Sequence, residues 1–207
     1  MTSAGRPKII LGSKSATRKL IIEEMGWEAI IRTADIDEKA IGDRASDPAQ
    51  LVLEIGTAKA DALLPSLADA AARHGARLLL TGDQVVVHDG RVLEKPHDYA
   101  EVRRNIAAYA LSPCRTVGSA VITELGAGGR RVSGVDTACI YFRPIPDSVV
   151  DELCKEEEIL WCAGGLMIEH PLVEPYIERI EGTIDSVMGL SKPLVQRLLD
   201  ELEGGKQ

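Results

Sequence analysis

The 207 residues of this chain, 45% of them hydrophobic and 27% charged, allow one large domain or two small lobes to bury a core without disulfides or metal staples. The formal net charge of −8 at pH 7 excludes the broad basic face that sequence-independent duplex binding needs, so we expect no nucleic-acid partner. An anionic ligand would have to be held by a local group of cations and backbone N–H groups.

Neither the apolar pattern nor the cysteines indicate a membrane or an oxidising compartment. No stretch approaches the roughly 18 apolar residues of a membrane span, and residues 1–8 have no hydrophobic signal core. The four cysteines, at 114, 139, 154 and 162, include no C-x-x-C pair, which favours reduced thiols over a zinc site. We therefore expect a cytoplasmic protein that has no membrane partner.

The first part of the chain alternates apolar runs with amphipathic segments. Residues 8–11 and 28–34 are predicted strands on either side of a helix at 15–25. The pair Asp47-Pro48 favours a helix start, with the aspartate as N-cap and the proline in the first turn. Pro65 should interrupt that helix before an alanine-rich stretch.

The later part of the chain is richer in β segments. Two apolar runs within 77–96 flank Asp89-Gly90, a pair that favours a tight hairpin turn. The further predicted elements are a helix at 98–111, β segments at 115–124 and 131–142, a helix at 147–156, strands at 166–169 and 175–180, and a last helix capped by Ser191. Because strands and helices alternate but hairpins interrupt them, we expect an α/β fold with a mixed, twisted sheet flanked by helices.

Small hydroxyl residues and cations follow the first predicted strand. Gly12 ends the apolar run, and Ser13, Ser15 and Arg18 come where a helix should begin. A helix N-terminus presents free N–H groups and the positive end of the helix dipole, so this turn is suited to hold a phosphate. The alternative is that Ser15 only caps the helix and the cations are solvated. The stretch does not have the pattern of a P-loop.

Carboxylates and lysines at the ends of other elements complete a set that suits phosphate chemistry. Asp83 follows an apolar strand, and Glu38 lies in an acidic loop. Lys59 lies on the predicted long helix, and Lys95 follows the hairpin. Each of them alone is more simply a turn cap or a solvated surface charge. Together, cations that hold a polyphosphate and carboxylates that hold Mg²⁺ and activate water are what hydrolysis at phosphorus requires.

Five short motifs, in the same order, resemble those of the Maf family of nucleoside triphosphate pyrophosphatases, once described as septum-formation inhibitors. They are Ser13–Arg18 for the family's Ser-x-Ser-Pro-Arg-Arg, Lys59 for its Lys-Ala lysine, Thr81–Gln84 for its Gly-[Ala/Ser]-Asp-[Thr/Gln], Gly90–Pro96 for its G-x-x-x-x-K-P, and Ala163–Gly165 for its AGG or AGS block. Each motif is weak singly, but five in order are specific.

The resemblance covers about residues 8–202 and implies a single Maf-like domain over 1–207. It implies a mixed α/β fold similar to that of the inosine triphosphate pyrophosphatases, with a cleft between two lobes. The implied reaction is hydrolysis of the α–β phosphoanhydride of a nucleoside triphosphate, assisted by a divalent cation such as Mg²⁺ or Mn²⁺, as in house-cleaning of the nucleotide pool. A homodimer is implied by the family and by no feature of the residues themselves.

The resemblance also assigns roles to residues. Asp83 takes the position of the general base, and Glu38 and Asp83 would hold the metal ion. The phosphate-contacting positions are Ser13, Ser15, Arg18, Lys59 and Lys95. In this assignment the cations and the helix N-terminus stabilise the charge that develops on the leaving pyrophosphate.

Three positions, Thr17, Gln84 and Glu169, separate branches of the family. Gln84 and Glu169 match the 7-methyl-GTP branch, while Thr17 fits it only in not being the arginine of the dTTP/UTP branch. A carboxylate accepts from the two adjacent N–H donors of guanine, which favours Glu169 for this base. His170 departs from the glycine that the family has there. We therefore predict a 7-methyl-GTP preference, with a dTTP/UTP pyrophosphatase or a non-catalytic nucleotide-binding regulator of cell division as the alternatives.

Overall fold

The computed structural model describes residues 7–165 and 167–204, the side chains of 68–70 excepted. Its strands are β1 Lys8–Gly12, β2 Glu28–Arg32, β3 Leu78–Thr81, β4 Gln84–His88, β5 Arg91–Leu93, β6 Cys114–Glu124, β7 Arg131–Phe142 and β8 Ile177–Glu181. Its α-helices are α1 Ala16–Glu24, α2 Pro48–Leu63, α3 Ala68–His74, α4 Tyr99–Tyr109, α5 Asp147–Leu153, α6 Ile184–Val187 and α7 Lys192–Gly204. Short 3₁₀ turns cover Glu38–Ala40, Leu64–Ser66, Glu157–Trp161, Ala163–Gly165 and Glu174–Tyr176.

Local signals in the sequence set where the helices begin. The Asp47 side chain accepts the amide of Ala49 at 3.0 Å, and Pro48 opens α2 behind it. Ser191 does the same for α7, where its hydroxyl accepts the amide of Leu194 at 3.2 Å. Each cap satisfies a backbone donor that has no partner inside the helix.

The described strands form one mixed sheet in the order β2-β1-β3-β6-β4-β5, with β7 on β6 and β8 beside β7. β1 runs parallel to both β2 and β3, and the other pairs are antiparallel. Asp89 and Gly90 form the tight turn between β4 and β5 with φ of +47° and +74°, the left-handed conformation that such hairpins need.

Strand β6 joins two parts of this sheet. Its residues 115–118 pair with β4, and its residues 121–124 pair with β3. Between these two stretches lies Ser119, directly opposite the connection from β3 to β4 through Gly82 and Asp83. The topology therefore places Asp83 at the junction of the two parts of the sheet.

Both faces of β1 are covered, which explains its unbroken apolar run. Ile9 and Leu11 pack against α1 and α7, while Ile10 packs on the opposite face with α2. Successive side chains of a strand point to opposite faces, so both must be apolar when both are buried. The β4–β7 part has a separate cluster, in which Ile106 of α4 and Leu153 of α5 cover the sheet.

In the described part of the chain no helix is both long and apolar enough to span a bilayer.

The predicted mixed sheet flanked by helices is confirmed, and two predicted elements end earlier than expected. β2 ends at Arg32 and not at 34, because its partner β1 ends at Gly12, which pairs with Arg32. The helix predicted at 147–156 ends at Leu153, and the chain then turns so that the Glu156 carboxylate meets His170 at 3.0 Å.

The strand predicted at 166–169 is also wrong over the residues that can be compared. Leu166 lies outside the described residues, 168–169 form a turn and 170 a bend. Gly164 and Gly165 precede them with φ of +68° and +66°, so the chain enters this stretch already turning. The Gly164 amide donates to the carbonyl of Glu94 at 2.8 Å, which ties the turn to the end of β5.

Candidate active site

The turn between β1 and α1 is built by its two serines. The Ser15 side chain caps α1 by accepting the amide of Arg18 at 3.2 Å. The amide of Ser15 in turn donates to Ser13 Oγ at 3.1 Å. The first amides of α1 have no partner inside the helix and face outward with the positive end of its dipole. The turn therefore has the geometry of an anion site.

Arg18 links this turn to two other parts of the chain. Its Nε donates to the carbonyl of Gly189 and its Nη1 to the carbonyl of Gly82, both at 2.9 Å. Burial lowers the pKa of Arg18 from its ordinary value, and the nearby carboxylates of Asp83 and Glu38 oppose that shift. An arginine remains charged under such a shift, so a fixed cation lies beside Asp83.

Lys59 of α2 holds two carboxylates at once. Its Nζ lies 2.8 Å from Asp83 Oδ1 and 3.0 Å from Glu38 Oε2. It also donates to the carbonyl of Gly82 at 3.4 Å. The Lys59 and Asp83 side chains are 10% and 14% exposed, whereas that of Glu38 is 48% exposed. The pair with Asp83 is therefore the one shielded from water.

The backbone of Asp83 is fixed from β6. Its amide donates to Ser119 Oγ at 3.0 Å, and its carbonyl accepts the amide of Ser119 at 2.8 Å. Ser119 Oγ then donates to the carbonyl of Val52 at 2.6 Å, which ties α2 to the same point. A Cβ on Gly82 would lie 2.1 Å from the Ser119 carbonyl oxygen, so only glycine fits here. A Cβ on Gly56 of α2 would lie 3.2 Å from the Cα of Gly82.

Gln84 points toward the turn that follows β8. Its Nε2 donates to the carbonyl of Ser186 at 2.8 Å and to that of Val187 at 3.3 Å. Both of its amide protons are therefore engaged by the protein, and its Oε1 remains as an acceptor near Gly189. In this position Gln84 fixes the α6–α7 turn against the site.

The loop that carries Glu38 is connected to the β4–β5 hairpin through Arg44. Arg44 Nη2 donates to the carbonyl of Glu38 at 2.8 Å and lies 3.3 Å from Glu94 Oε1. Asp37 caps the 3₁₀ turn at Glu38 by accepting the amide of Lys39 at 3.1 Å. These contacts hold an exposed carboxylate within reach of Lys59.

Lys95 and Glu169 form a second group with the residues before the AGG block. Lys95 Nζ lies 5.7 Å from the ring centroid of Trp161. Burial raises the pKa of Cys162 to about 11; Glu169 adds to that rise and Lys95 reduces it, so both lie near this thiol. Neither Lys95 nor Glu169 makes a hydrogen bond or ion pair with Asp83 or Lys59 in the described part of the chain, and the same holds for Thr17.

His170, which departs from the family pattern, has a structural position. Its Nδ1 accepts the amide of Leu172 at 3.1 Å, so Nε2 carries the proton and faces Glu156 Oε2 at 3.0 Å. The amides of Val173 and Glu174 also donate to its carbonyl. The histidine therefore fixes the turn that carries Glu169.

Of the predicted site residues, the structure brings Ser13, Ser15, Arg18, Glu38, Lys59, Asp83 and Gln84 together. Three residues that the sequence reasoning missed hold this group in place: Ser119, Gly56 and Arg44. Gly56 left a signal, because a glycine inside a helix costs stability and indicates a close approach. Ser119 and Arg44 left none, since Asp83 is 36 positions from Ser119 and Glu94 is 50 positions from Arg44.

The carboxylates of Glu38 and Asp83 fit a divalent cation that binds together with a phosphate ligand. Both offer oxygen donors, which Mg²⁺ prefers, and a cation, the Lys59 ammonium, already lies between them. Among the described residues no three His, Cys, Asp or Glu side chains form a metal-binding group. Mg²⁺ commonly takes one or two carboxylates and completes its shell with substrate phosphates and water.

The fold and the site together define a class: mixed α/β proteins in which two cations and two carboxylates meet beside the connection between two strands of the sheet. The chain belongs to the Maf-like protein family, whose model matches residues 8–202. The predicted family membership is thereby confirmed.

The relatives of this chain are similar over nearly their whole length. A 7-methyl-GTP pyrophosphatase of Dictyostelium discoideum is 36% identical and covers 98% of this chain and 99% of its own. A 7-methyl-GTP pyrophosphatase of Alkalilimnicola ehrlichii is 32% identical over 96% of this chain and 94% of its own. A nucleoside triphosphate pyrophosphatase of Corynebacterium efficiens is 30% identical over 93% of both chains. Among solved structures, a dITP/XTP pyrophosphatase of Mycobacterium abscessus aligns with 95% of this chain and 96% of its own at a TM-score of 0.40 and 10% identity, which supports no conclusion.

Proposed function

We propose that this chain is a nucleoside triphosphate pyrophosphatase that hydrolyses the α–β phosphoanhydride to a monophosphate and pyrophosphate, with 7-methyl-GTP as its preferred substrate. The observation that carries the proposal is the shielded pair of Lys59 and Asp83, with Nζ 2.8 Å from Oδ1, beside Arg18 and the N-terminus of α1. Relatives named as pyrophosphatases of these nucleotides, similar over the whole chain, support it.

Asp83 is the general base in this proposal. Its Oδ1 is occupied by Lys59, whereas its Oδ2 makes no hydrogen bond within the described residues. The second oxygen is thus available to accept a proton from a water molecule that attacks the α-phosphorus. Because Ser119 holds the backbone of Asp83 from both sides, the carboxylate is fixed in direction before substrate binds.

The cations and the first turn of α1 bind the phosphates. Ser13 Oγ accepts one amide and keeps its own proton to donate, and the first amides of α1 point outward. Arg18 and Lys59 lie beside Asp83, and Lys95 approaches from the hairpin. Charge grows on the leaving pyrophosphate during bond cleavage, so these donors stabilise the transition state more than the ground state.

A divalent cation is part of the proposal. Glu38 and Asp83 would hold it, and when bound it would neutralise phosphate charge and polarise the scissile bond. Lys59 would then exchange its contacts with these carboxylates for contacts with phosphate. Among the described residues the Lys59 ammonium contacts two carboxylates and the Gly82 carbonyl. Phosphate oxygens are acceptors of the same kind and could replace these contacts.

Glu169 supports guanine over the pyrimidines as the base. Its exposed carboxylate offers two acceptors, which match the adjacent N1–H and N2 amino donors of guanine. Methylation at N7 adds a positive charge to the base, and a carboxylate favours that charge. The role of Thr17 in specificity and the homodimer stay predictions.

The test is pyrophosphate release from a panel of 7-methyl-GTP, GTP, UTP, dTTP and CTP, with and without Mg²⁺. We expect the highest kcat/KM with 7-methyl-GTP and a loss on the order of 10²–10³ in rate or more for Asp83→Asn, which keeps the shape of the side chain. Turnover of Asp83→Asn at the wild-type rate would refute the assignment of the base. Preferred hydrolysis of UTP or dTTP would refute the base preference alone, and binding without any turnover would identify a sensor.

A further inference from the structure

Trp161 is an exposed aromatic side chain beside the residues assigned to the base. Its relative exposure is 67%, although indole is costly to leave in water. It ends the 3₁₀ turn Glu157–Trp161 and directly precedes Cys162. The charge of Glu169 contributes to the raised pKa of the Cys162 thiol, so Glu169 lies near this turn. An exposed aromatic ring beside residues that could bind a ligand can stack on that ligand.

The face of this ring already attracts a cation. Lys95 Nζ lies over the Trp161 ring at 5.7 Å from the centroid, within the range of a cation–π interaction. Two carboxylates, of Glu158 and Glu169, and the Lys95 ammonium all act on the neighbouring Cys162, so the surroundings of the ring become negative once Lys95 leaves it. A negative, aromatic site favours a positively charged flat ligand over a neutral one.

A continuous run of contacts joins this ring to the catalytic group. Asp83 meets Lys59, Lys59 meets Glu38, and Arg44 bridges Glu38 to Glu94. Glu94 is next to Lys95 in the chain, and its carbonyl accepts the amide of Gly164 at 2.8 Å. Trp161 is therefore linked to Asp83 through these contacts and through Lys95, which lies over its ring.

We propose that the positively charged 7-methylguanine base of the substrate stacks on Trp161 and replaces the Lys95 ammonium as the cation over that ring. The inference rests on the proposed function, whose substrate class it explains. While Trp161 covers the face of the base, Glu169 accepts from its edge, and the displaced Lys95 ammonium becomes free to contact phosphate. Discrimination against unmethylated GTP then comes from the cation–π part of the stacking, which a neutral base lacks.

Fluorescence gives a direct test, because the chain has two tryptophans. Trp27 packs with α1 and α7 and precedes β2, whose first residue, Glu28, pairs with the first residue of β1, at the end opposite the serine turn. Trp27→Phe therefore removes the unwanted signal without touching the site. In this variant we expect 7-methyl-GMP to quench the emission of Trp161 strongly and GMP to quench it only at much higher concentration. Trp161→Phe, which retains Trp27, should show no quenching.

The steady-state kinetics of Trp161 variants give an independent test. Trp161→Ala should raise the KM for 7-methyl-GTP by roughly 10- to 100-fold, the usual effect of losing one stacked aromatic, with little change in kcat. The KM for GTP should rise less, so the ratio of the two kcat/KM values falls. Trp161→Phe should restore most of the affinity because it restores a ring. Thermal unfolding of each variant controls for folding, which an exposed side chain should not affect.

The outcomes separate the two proposals. Quenching of the Trp27→Phe variant by 7-methyl-GMP supports the stacking even if no nucleotide is hydrolysed. Efficient hydrolysis of 7-methyl-GTP without quenching, and with an unchanged KM in Trp161→Ala, overturns the stacking and leaves the pyrophosphatase in place. An equal rise in KM for methylated and unmethylated substrate also overturns it, because charge then has no part in recognition.

Discussion

Replacing Lys59 by methionine should destabilise the protein more than neutralising either of the two carboxylates that it holds. The substitution keeps the length of the side chain and removes the ammonium that Asp83 and Glu38 share. Removal of one partner of a shielded ion pair costs about 3–5 kcal/mol, because the other charge stays behind without compensation. Since Asp83 is 14% exposed and Glu38 can turn to water, we expect the lower end, about 3 kcal/mol.

The two carboxylates should behave unequally toward the same lysine. Asp83→Asn leaves Lys59 with Glu38 at 3.0 Å and the Gly82 carbonyl at 3.4 Å, so it should cost only about 1–2 kcal/mol. Glu38→Gln breaks a pair whose acid is 48% exposed, and such pairs contribute about 0–1 kcal/mol. The ranking of destabilisation is therefore Lys59→Met, then Asp83→Asn, then Glu38→Gln.

Urea unfolding at neutral pH measures these differences, and a double-mutant cycle isolates the pair. Lys59→Met combined with Asp83→Asn should cost less than the sum of the two single changes by about 1–3 kcal/mol, since the first loss removes what the second would break. Strict additivity would mean that the 2.8 Å contact contributes nothing. A Glu38→Gln variant as unstable as Lys59→Met would show that shielding from water does not decide the strength of these pairs.

Three further predictions follow from individual contacts. Gly82→Ala should lower kcat by on the order of 10², because the new Cβ would lie 2.1 Å from the Ser119 carbonyl oxygen and must displace Asp83. Gly118→Ala is the matched control, because its Cβ would have no contact below 3.7 Å, and it should keep the wild-type kcat. The rate of Cys162 alkylation should rise about tenfold per pH unit up to a pH of about 11, because the raised pKa keeps Cys162 a thiol below that value. Glu169→Gln removes a charge that raises this pKa and should therefore speed alkylation at any lower pH. Mg²⁺ should tighten binding of a non-hydrolysable nucleotide, by calorimetry, and equal affinity without it would contradict the proposed metal site.

Much of the fold was predictable because its signals are local. The caps at Ser15 and Asp47, the hairpin pair Asp89-Gly90 and the apolar runs of the strands each act over a few residues. The strand predicted at 166–169 failed for a reason that is only partly local. Gly164 and Gly165 favour a turn before this stretch, and a Cβ on Gly164 would lie 2.4 Å from the hydroxyl of Tyr109, so packing against α4 adds to the local preference.

Seven of the ten predicted site residues lie together in the structure, but the sequence did not predict the contacts that bring them together. Lys59 and Asp83 are 24 positions apart, and only the packing of α2 across the β3–β4 connection makes them neighbours. Gln84 was predicted to distinguish bases, yet the structure shows its two amide protons on the carbonyls of Ser186 and Val187. A sequence motif gives the type of a side chain, whereas its hydrogen-bond partners come from elements that the motif does not contain.

The charges at the site argue that substrate binding and cation binding are coupled. Two cations, Arg18 and Lys59, face two carboxylates, Glu38 and Asp83, so their formal charges cancel while the net charge of the chain is −8. A triphosphate placed there adds several negative charges in a partly shielded region, which is costly unless cations enter with it. Lys59 compensates both carboxylates in the structure described here, and in the proposed function a bound polyphosphate would compete for that lysine and leave both acids able to hold a divalent cation.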